Sequence, residues 1–353
     1  MTPPRSPTAT RIGVDLCVLR APYPLSLQRC VRSGLEALRG RDDVETVRLG
    51  PMGGSRGHWR LRGLGRAARR SEVDGVHAFV SGFSPTAPGP RIQTVHELPW
   101  HHGESENADL RHRLWIRLGG RFARAIVCPS EHVARDLRAE LGSAGERVRV
   151  IPWGVDRRFG EAAGEGGPTV ELGGEPFDRA TLLLPLGGRT KKRASAAVEA
   201  LAHLPRSVRL VVTGPDGPGL DAARARAAAL GLGQRLHHVP WIEESDLPLA
   251  LAASGAVLAL ARSEGFAHPV LEALATGTPV VAAPGGAQEE LAGGCAELAD
   301  PEDSAGLAAA IGRALAWTEE QRRAARERAA RFTWERWAES TALLWRELTQ
   351  GSA

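Results

Sequence analysis

Two glutamates stand eight positions apart in SEGFAHPVLEALATGTPVVAAPGG, residues 263–286. Glu264 precedes Gly-Phe at what reads as a strand-to-helix loop, and Glu272 lies within an apolar, helix-like run. Proline is favoured in a first helical turn, so the helix is expected from about Pro269 to Ala275, with Glu272 about one turn in. A helix start offers free N–H groups and partial positive charge, which suits phosphate. Gly265 lets a ligand approach the backbone, and an ionised carboxylate accepts hydroxyl hydrogen bonds. One acid at the mouth and another a turn down would suit a ligand with hydroxyls at both ends and phosphate between, the form of a nucleotide sugar. The spacing alone equally allows a loop acid and a solvated helix acid.

The second chemical signal is basic. The chain has 43 arginines and only two lysines, the adjacent Lys191 and Lys192 in PLGGRTKKRAS. That segment ends one expected strand and opens one expected helix. Fixed positive charge there could stabilise a departing diphosphate, although a solvated basic turn has the same composition. No Asp-x-Asp triplet occurs, so nothing in the sequence asks for a divalent ion on a diphosphate.

These residues need elements to hold them. The 353 residues suit two domains. Expected strands are RIGVDLCVL, VDGVHAFV, RIQTVHEL, AIVCPS and RVRVIPWGV in the first half, and ATLLLPLGG, VRLVVTGPDG, RLHHVPWI, GAVLALA and TPVVAA in the second. Helical patterns alternate with them, among them HWRLRGLGRAARR and SEHVARDLRAEL, the latter capped by Ser130. Alternation with mostly buried strands implies parallel sheets covered on both faces. Gly160–Asp178 is Gly-rich and acidic and reads as a linker. The closing TWERWAESTALLWREL is amphipathic, with Trp334, Trp337, Leu344 and Leu348 among its apolar positions. The domains are thus expected at 1–170 and 171–331, followed by a terminal helix at 332–353.

Composition excludes several classes. Hydrophobic residues make up 42% and charged residues 24%, ordinary for a globular protein. No apolar run approaches the roughly 20 residues of a membrane span, and MTPPRSPTATR has no signal-peptide core. The expectation is a cytoplasmic protein. Cys17, Cys30, Cys128 and Cys295 lie far apart with no C-x-x-C pair, which suggests buried thiols. Residues 1–170 carry a net +8 and the remainder −4, so the first half is suited to an anionic partner. RGHWRLRGLGRAARR (56–70) holds six arginines, and RHRLWIRLGGRFAR (111–124) holds five with Leu114, Trp115, Ile116 and Phe122. Both could rest on anionic lipid, or be solvated helix faces. No groove-reading or stacking motif supports nucleic acid.

The 263–286 stretch resembles the E-x7-E region of the retaining family 4 glycosyltransferases, where E-G-F-x-x-P-x-L-E-A-x-A-x-G-x-P-V-V precedes a G-G turn. Glu264, Gly265, Phe266, Pro269, Leu271, Glu272, Ala273, Ala275, Gly277, Pro279, Val280, Val281, Gly285 and Gly286 all match. The resemblance runs over about residues 11–348, including TVHELPW, AIVCPSEHVARDL, RVRVIPWGVDRRF (Trp153 replacing Asn) and FTWERWAESTALLWREL. It implies the α/β GT-B fold: two Rossmann-like doubly wound domains facing across a cleft, and a C-terminal helix crossing back to the N-terminal domain. It also implies a hexosyltransferase that moves sugar from a UDP- or GDP-sugar to a glycan, lipid-linked or small-molecule acceptor, without a cofactor or divalent metal. Glu264 would contact the donor sugar and Glu272 the ribose. Backbone N–H groups near Gly265 and Phe266, and the Gly285-Gly286 turn, would meet sugar and phosphate. Arg189 and Lys192, with Lys191 as alternative, would grip the diphosphate. His96 would lie near the donor sugar and Trp241 in the nucleobase loop.

Two departures from the family stand out. The loop RAPYPLSLQRC lacks the glycines that relatives place after the first strand, and Pro240 replaces a glycine beside Trp241. His101, His102 and Glu104 carry metal-type side chains without ligand spacing. A catalytically silent adaptor that keeps the fold and binds a membrane or partner is the alternative function, and it would give no heat with any nucleotide sugar. A glycosidase using the same acids is disfavoured by their placement on one loop–helix joint.

Overall fold

The computed structural model describes residues 9–20, 23–50, 56–106, 108–163 and 169–350. Parts of the glycine-free first loop (21–22) and of the expected linker (164–168) lie outside the described residues. The chain divides into two compact units: Met1–Gly154 together with Phe332–Ala353, and Val155–Arg331.

The first unit runs β1 (Thr10–Asp15), α1 (Leu25–Ala37), β2 (Val44–Leu49), α2 (Arg56–His58), α3 (Leu64–Arg70), β3 (Gly75–Ala78), β4 (Arg91–Thr94), α4 (Leu110–Phe122), β5 (Ala125–Cys128), α5 (Glu131–Leu141) and β6 (Val148–Val150). Its six strands pair in parallel in the order β2-β1-β3-β4-β5-β6. β3 and β5 are buried at every position. That is why GVHA and AIVC, apart from the hydrogen-bonded His77, carry continuous small and apolar residues instead of an alternating pattern. α5 begins where Ser130 Oγ accepts the Val133 N–H and ends at Gly142. β2 is an addition to the sequence reading. It is an edge strand whose Val44 and Leu49 are buried while the residues between face outward to varying degrees. The helix expected over residues 58–70 is present and starts at Arg56, running on without a gap through a π turn at Trp59–Gly63.

The second unit runs α6 (Arg157–Glu161), β7 (Thr169–Leu172), β8 (Glu175–Asp178), β9 (Thr181–Leu184), α7 (Ala194–Leu201), β10 (Arg209–Thr213), α8 (Pro218–Ala229), β11 (Leu236–Val239), α9 (Leu247–Ala253), β12 (Ala256–Ala259), α10 (His268–Thr276), β13 (Val280–Ala282), α11 (Ala287–Ala292), β14 (Glu297–Leu298), α12 (Ser304–Leu315) and α13 (Glu319–Ala329). Its sheet is parallel in the order β11-β10-β9-β12-β13-β14. Strand order reverses at β9, so the gap between β9 and β12 is the switch point where open α/β sheets receive ligands. The expected linker is partly structured. β7 and β8 form an antiparallel hairpin joined by Gly173 and Gly174, both at positive φ (+60° and +79°), a turn in which glycine carries no Cβ penalty. The unit begins at Val155 rather than at residue 171, because α6 packs on α10.

The last helix, α14 (Trp334–Gln350), belongs to the first unit and packs on α1 and β1. Gly34 makes the approach to α1 possible: a Cβ there would lie 2.6 Å from Trp337 Cζ3. Trp345 is fully buried and its indole N–H donates to His77 Nδ1 at 3.1 Å.

Candidate active site

Within the second unit, the loops leaving the carboxyl ends of β9 and β12 carry the site. β9 leads through Gly187-Gly188 into Arg189 and a 3₁₀ turn at Thr190–Lys192. This segment is held tightly by the loop after β10: a Cβ at Gly188 would lie 2.2 Å from the Pro215 carbonyl oxygen, and one at Gly219 2.7 Å from that of Arg189. Both lysines are buried there. From the other strand, Glu264 comes in with its side chain 14% exposed. Lys192 Nζ donates to Glu264 Oε1 at 2.7 Å, and Lys191 Nζ stands 3.6 Å from Oε2.

The electrostatics follow from that geometry. Burial alone would push the Glu264 carboxyl up, but the charges of Lys192 and Lys191, the Lys192 hydrogen bond and the Arg189 charge outweigh it. The carboxyl is therefore held below the usual carboxylate range and stays ionised at neutral pH. Two ammonium groups and one guanidinium thus act together on a single carboxylate.

Backbone strain marks the same loops. Among the described residues four non-glycine residues have positive φ, and three are here: Leu186 (+56°), Arg193 (+58°) and Ala267 (+50°). Such conformations cost on the order of 1–3 kcal/mol each and persist where the surroundings enforce them. Ala267 immediately precedes α10, whose residues from Val270 to Thr276 are all buried. Glu272 is among them, an acid on a helix that is otherwise apolar or small at every buried position except Thr276. Phe266 is buried and packs edge-on against His268 at 4.8 Å. Beyond β13, Gly285 sits at φ +84° and its N–H donates to Glu289 Oε2 at 2.6 Å, while Gly286 forms the N-cap of α11.

Family models match both units: the one described as Glycosyltransferase Family 4 over residues 10–159, and the one described as Glycosyl transferases group 1 over residues 181–332. The MMP alpha-(1->4)-mannosyltransferase of Mycolicibacterium hassiacum is 30% identical over 304 residues, covering 78% of this chain and 71% of that one. The chain belongs to glycosyltransferase family 4, group 1. The D-inositol 3-phosphate glycosyltransferase of Geodermatophilus obscurus is 32% identical over 236 residues, and the match spans only 50% of that protein's length. Among solved structures, the transferase resembles the sucrose-phosphate synthase of Thermosynechococcus elongatus (TM-score 0.74, 20% identity, 98% of this chain and 100% of that one). It also resembles Anabaena Alr3699/HepE in complex with UDP and glucose (TM-score 0.71, 20% identity, 98% and 100%). These structures establish the GT-B fold for it.

Of the residues singled out in the sequence, the transferase brings Glu264, Lys191, Lys192 and Arg189 together. Trp241 lies beyond β11, two strands from β9, with its indole exposed and donating to Glu243 Oε1 at 2.9 Å. His96 belongs to the first unit, two residues past β4. Its Nε2–H donates to the Phe79 carbonyl oxygen at 2.8 Å, which leaves Nδ1 as the acceptor. Burial pushes its imidazole pKa down. Its ring stacks on Trp153 (6.0 Å, 16°), and Trp153 stacks on Trp337 of α14 (5.3 Å, 13°). The Trp that replaces the family's Asn therefore fills the space between a loop histidine and the terminal helix.

Sequence reasoning missed Gln288. It is fully buried, and its Nε2 donates to the carbonyl oxygens of Ala261 (2.7 Å) and Ala283 (3.1 Å), tying together the chain ends of β12 and β13. An uncharged polar residue on an apolar helix face directly after the G-G turn was the available signal.

Proposed function

We propose that the protein is a retaining hexosyltransferase that takes its sugar from a UDP- or GDP-sugar and needs no divalent metal. The carrying observation is the Lys192–Glu264 pair at the β9/β12 switch point, with Lys191 and Arg189 beside it. The charges of two lysines and one arginine all act on the carboxylate of Glu264. A nucleotide sugar brings two negative charges on its pyrophosphate and gains a third as the glycosidic bond breaks, so preorganised ammonium and guanidinium groups favour the leaving group over the bound donor. Glu264 presents a fixed acceptor to the sugar hydroxyls, and Glu272 takes the ribose hydroxyls. Solved relatives with this fold were crystallised with UDP and UDP-glucose, which supports a nucleotide-sugar donor here.

The acceptor is proposed to be a glycan, lipid-linked or small-molecule alcohol, with the cytoplasm or its membrane face as the place of action. Among the described residues no helix is long and apolar enough to cross a membrane. α4 supports a surface contact instead: Leu110, Leu114, Arg117 and Arg121 recur at helical spacing, all exposed, an apolar and basic stripe suited to anionic lipid. The 56–70 run contributes less, because Arg60 is buried and donates to the Tyr23 hydroxyl.

Calorimetric titration of the wild type and Glu272→Ala with a panel of UDP- and GDP-sugars tests the reading. The wild type is expected to bind one nucleotide class, and the variant to bind it at least tenfold more weakly with an unchanged circular dichroism spectrum. No heat with any donor would replace the transferase by an adaptor. Equal affinity in the variant would remove the ribose role from Glu272.

A further inference from the structure

A second constellation lies in the first unit, on α5 and the turn after β4, apart from the β9/β12 loops. We propose that His102, His132 and Asp136 form a binding site for a divalent transition metal of the zinc type. His132 and Asp136 are four residues apart on α5, hence on one helix face, and His102 comes from the 3₁₀ turn Pro99–His102. Their ligand atoms all lie within 4.8 Å of one another. His102 Nε2 donates to Asp136 Oδ2 at 2.7 Å, and the His102 and His132 rings stack at 4.8 Å and 27°.

The donor set is the reason to expect a metal. Two imidazoles and one carboxylate make a borderline nitrogen–oxygen set, the ligand types zinc takes at about 2.0–2.2 Å, with a fourth position left for water. Ligand atoms on a tetrahedral ion at those bond lengths stand about 3.3 Å apart, so on binding the widest separation must close by up to roughly 1.5 Å while the 2.7 Å His102–Asp136 pair opens slightly. The acid at the next turn marks the edge of the site. Glu140 already accepts from Trp100 Nε1 (3.3 Å), His101 Nε2 (3.2 Å) and Arg117 Nε (3.1 Å). Asp136 serves His102, and a metal takes the place of the proton between them, the neutral ring then carrying its proton on Nδ1 instead of Nε2. Bound there, the ion clips the loop after β4 to α5.

The test uses the full chain without a histidine tag, stripped with chelator and titrated with Zn2+ by calorimetry and with Co2+ by visible absorption. One equivalent is expected to bind with micromolar or tighter affinity, with d–d bands for Co2+. Asp136→Asn and His102→Asn are each expected to weaken binding at least tenfold, while His101→Asn leaves it unchanged. Asp136→Asn keeps side-chain volume and His102→Asn is smaller, both lie at partly exposed positions, and a thermal melt of each metal-free variant confirms folding. Affinity weaker than millimolar overturns the site, as does binding lost in His101→Asn but kept in Asp136→Asn.

Discussion

A carboxylate that is mostly out of water and touched by two ammonium groups is stable only while those charges remain. Lys192 is the nearer of the two, with its hydrogen bond at 2.7 Å against the 3.6 Å approach of Lys191. Removing it has two separable effects. Glu264 loses its largest favourable charge and its pKa moves back up toward the ordinary value, while Lys191 and Arg189 still keep it from being an isolated buried anion. The donor pyrophosphate loses a preorganised donor, a loss worth about 100-fold or more in rate. Lys192→Ala is therefore expected to fold and to lower kcat/KM by that factor with whichever UDP- or GDP-sugar the wild type uses. Initial-rate measurements decide it, and a variant within threefold of wild type would take Lys192 out of the chemistry. Lys192→Arg is expected to restore only part of the rate, because a planar fork cannot occupy the space of a compact ammonium.

At the scale of elements, α10 is where backbone strain adjoins the proposed donor site. Its N-cap Ala267 is held at φ +50°, which a residue with a Cβ adopts at a cost of about 1 kcal/mol or more. Ala267→Gly relieves that cost and also loosens the joint between Glu264 and Glu272. The expected outcome is a higher thermal midpoint together with a several-fold higher KM for the donor. A midpoint that falls would show that the loop is not strained. The same helix shows what the sequence could disclose. Pro269 and the apolar run fixed its start within a residue, and the buried strands and Ser130 cap were equally plain, because each rests on contacts within a few positions. The E-x7-E acids and the adjacent lysines stand out as local patterns too, but the Lys192–Glu264 contact, across 72 positions, is seen only in the fold. The β7–β8 hairpin was not, since its glycines read as flexible until Phe177 is seen to be fully buried. Nor was the role of Gln288, Trp153 or the His102–His132–Asp136 group, whose partners come from distant segments.

At the scale of the whole chain, the last helix is tied into the sheet of the first unit: Trp345 meets His77 on β3 across 268 positions of sequence. The indole N–H can only donate, so His77 Nδ1 accepts, and Nε2 carries the proton toward Thr94 Oγ1 at 2.9 Å. Both nitrogens are committed with the ring neutral, and burial pushes the pKa of His77 down to about 3. In the unfolded chain the ring titrates near its ordinary value of about 6.5. Between those values the unfolded state holds a proton that the folded state refuses, so the contribution to stability is complete above about pH 6.5 and is lost as the pH falls. The loss is about 1 kcal/mol for each pH unit below that point. Urea unfolding followed by tryptophan fluorescence at several pH values between 7 and 4.5 measures this slope. His77→Asn keeps an acceptor for Trp345 but cannot titrate, so the variant should be less stable at pH 7 and have a visibly flatter slope. His96, also held down by burial, acts in the same direction and leaves a residual slope. An identical pH dependence in wild type and variant would show that acid reaches the first unit by another route than the histidine beneath its last helix.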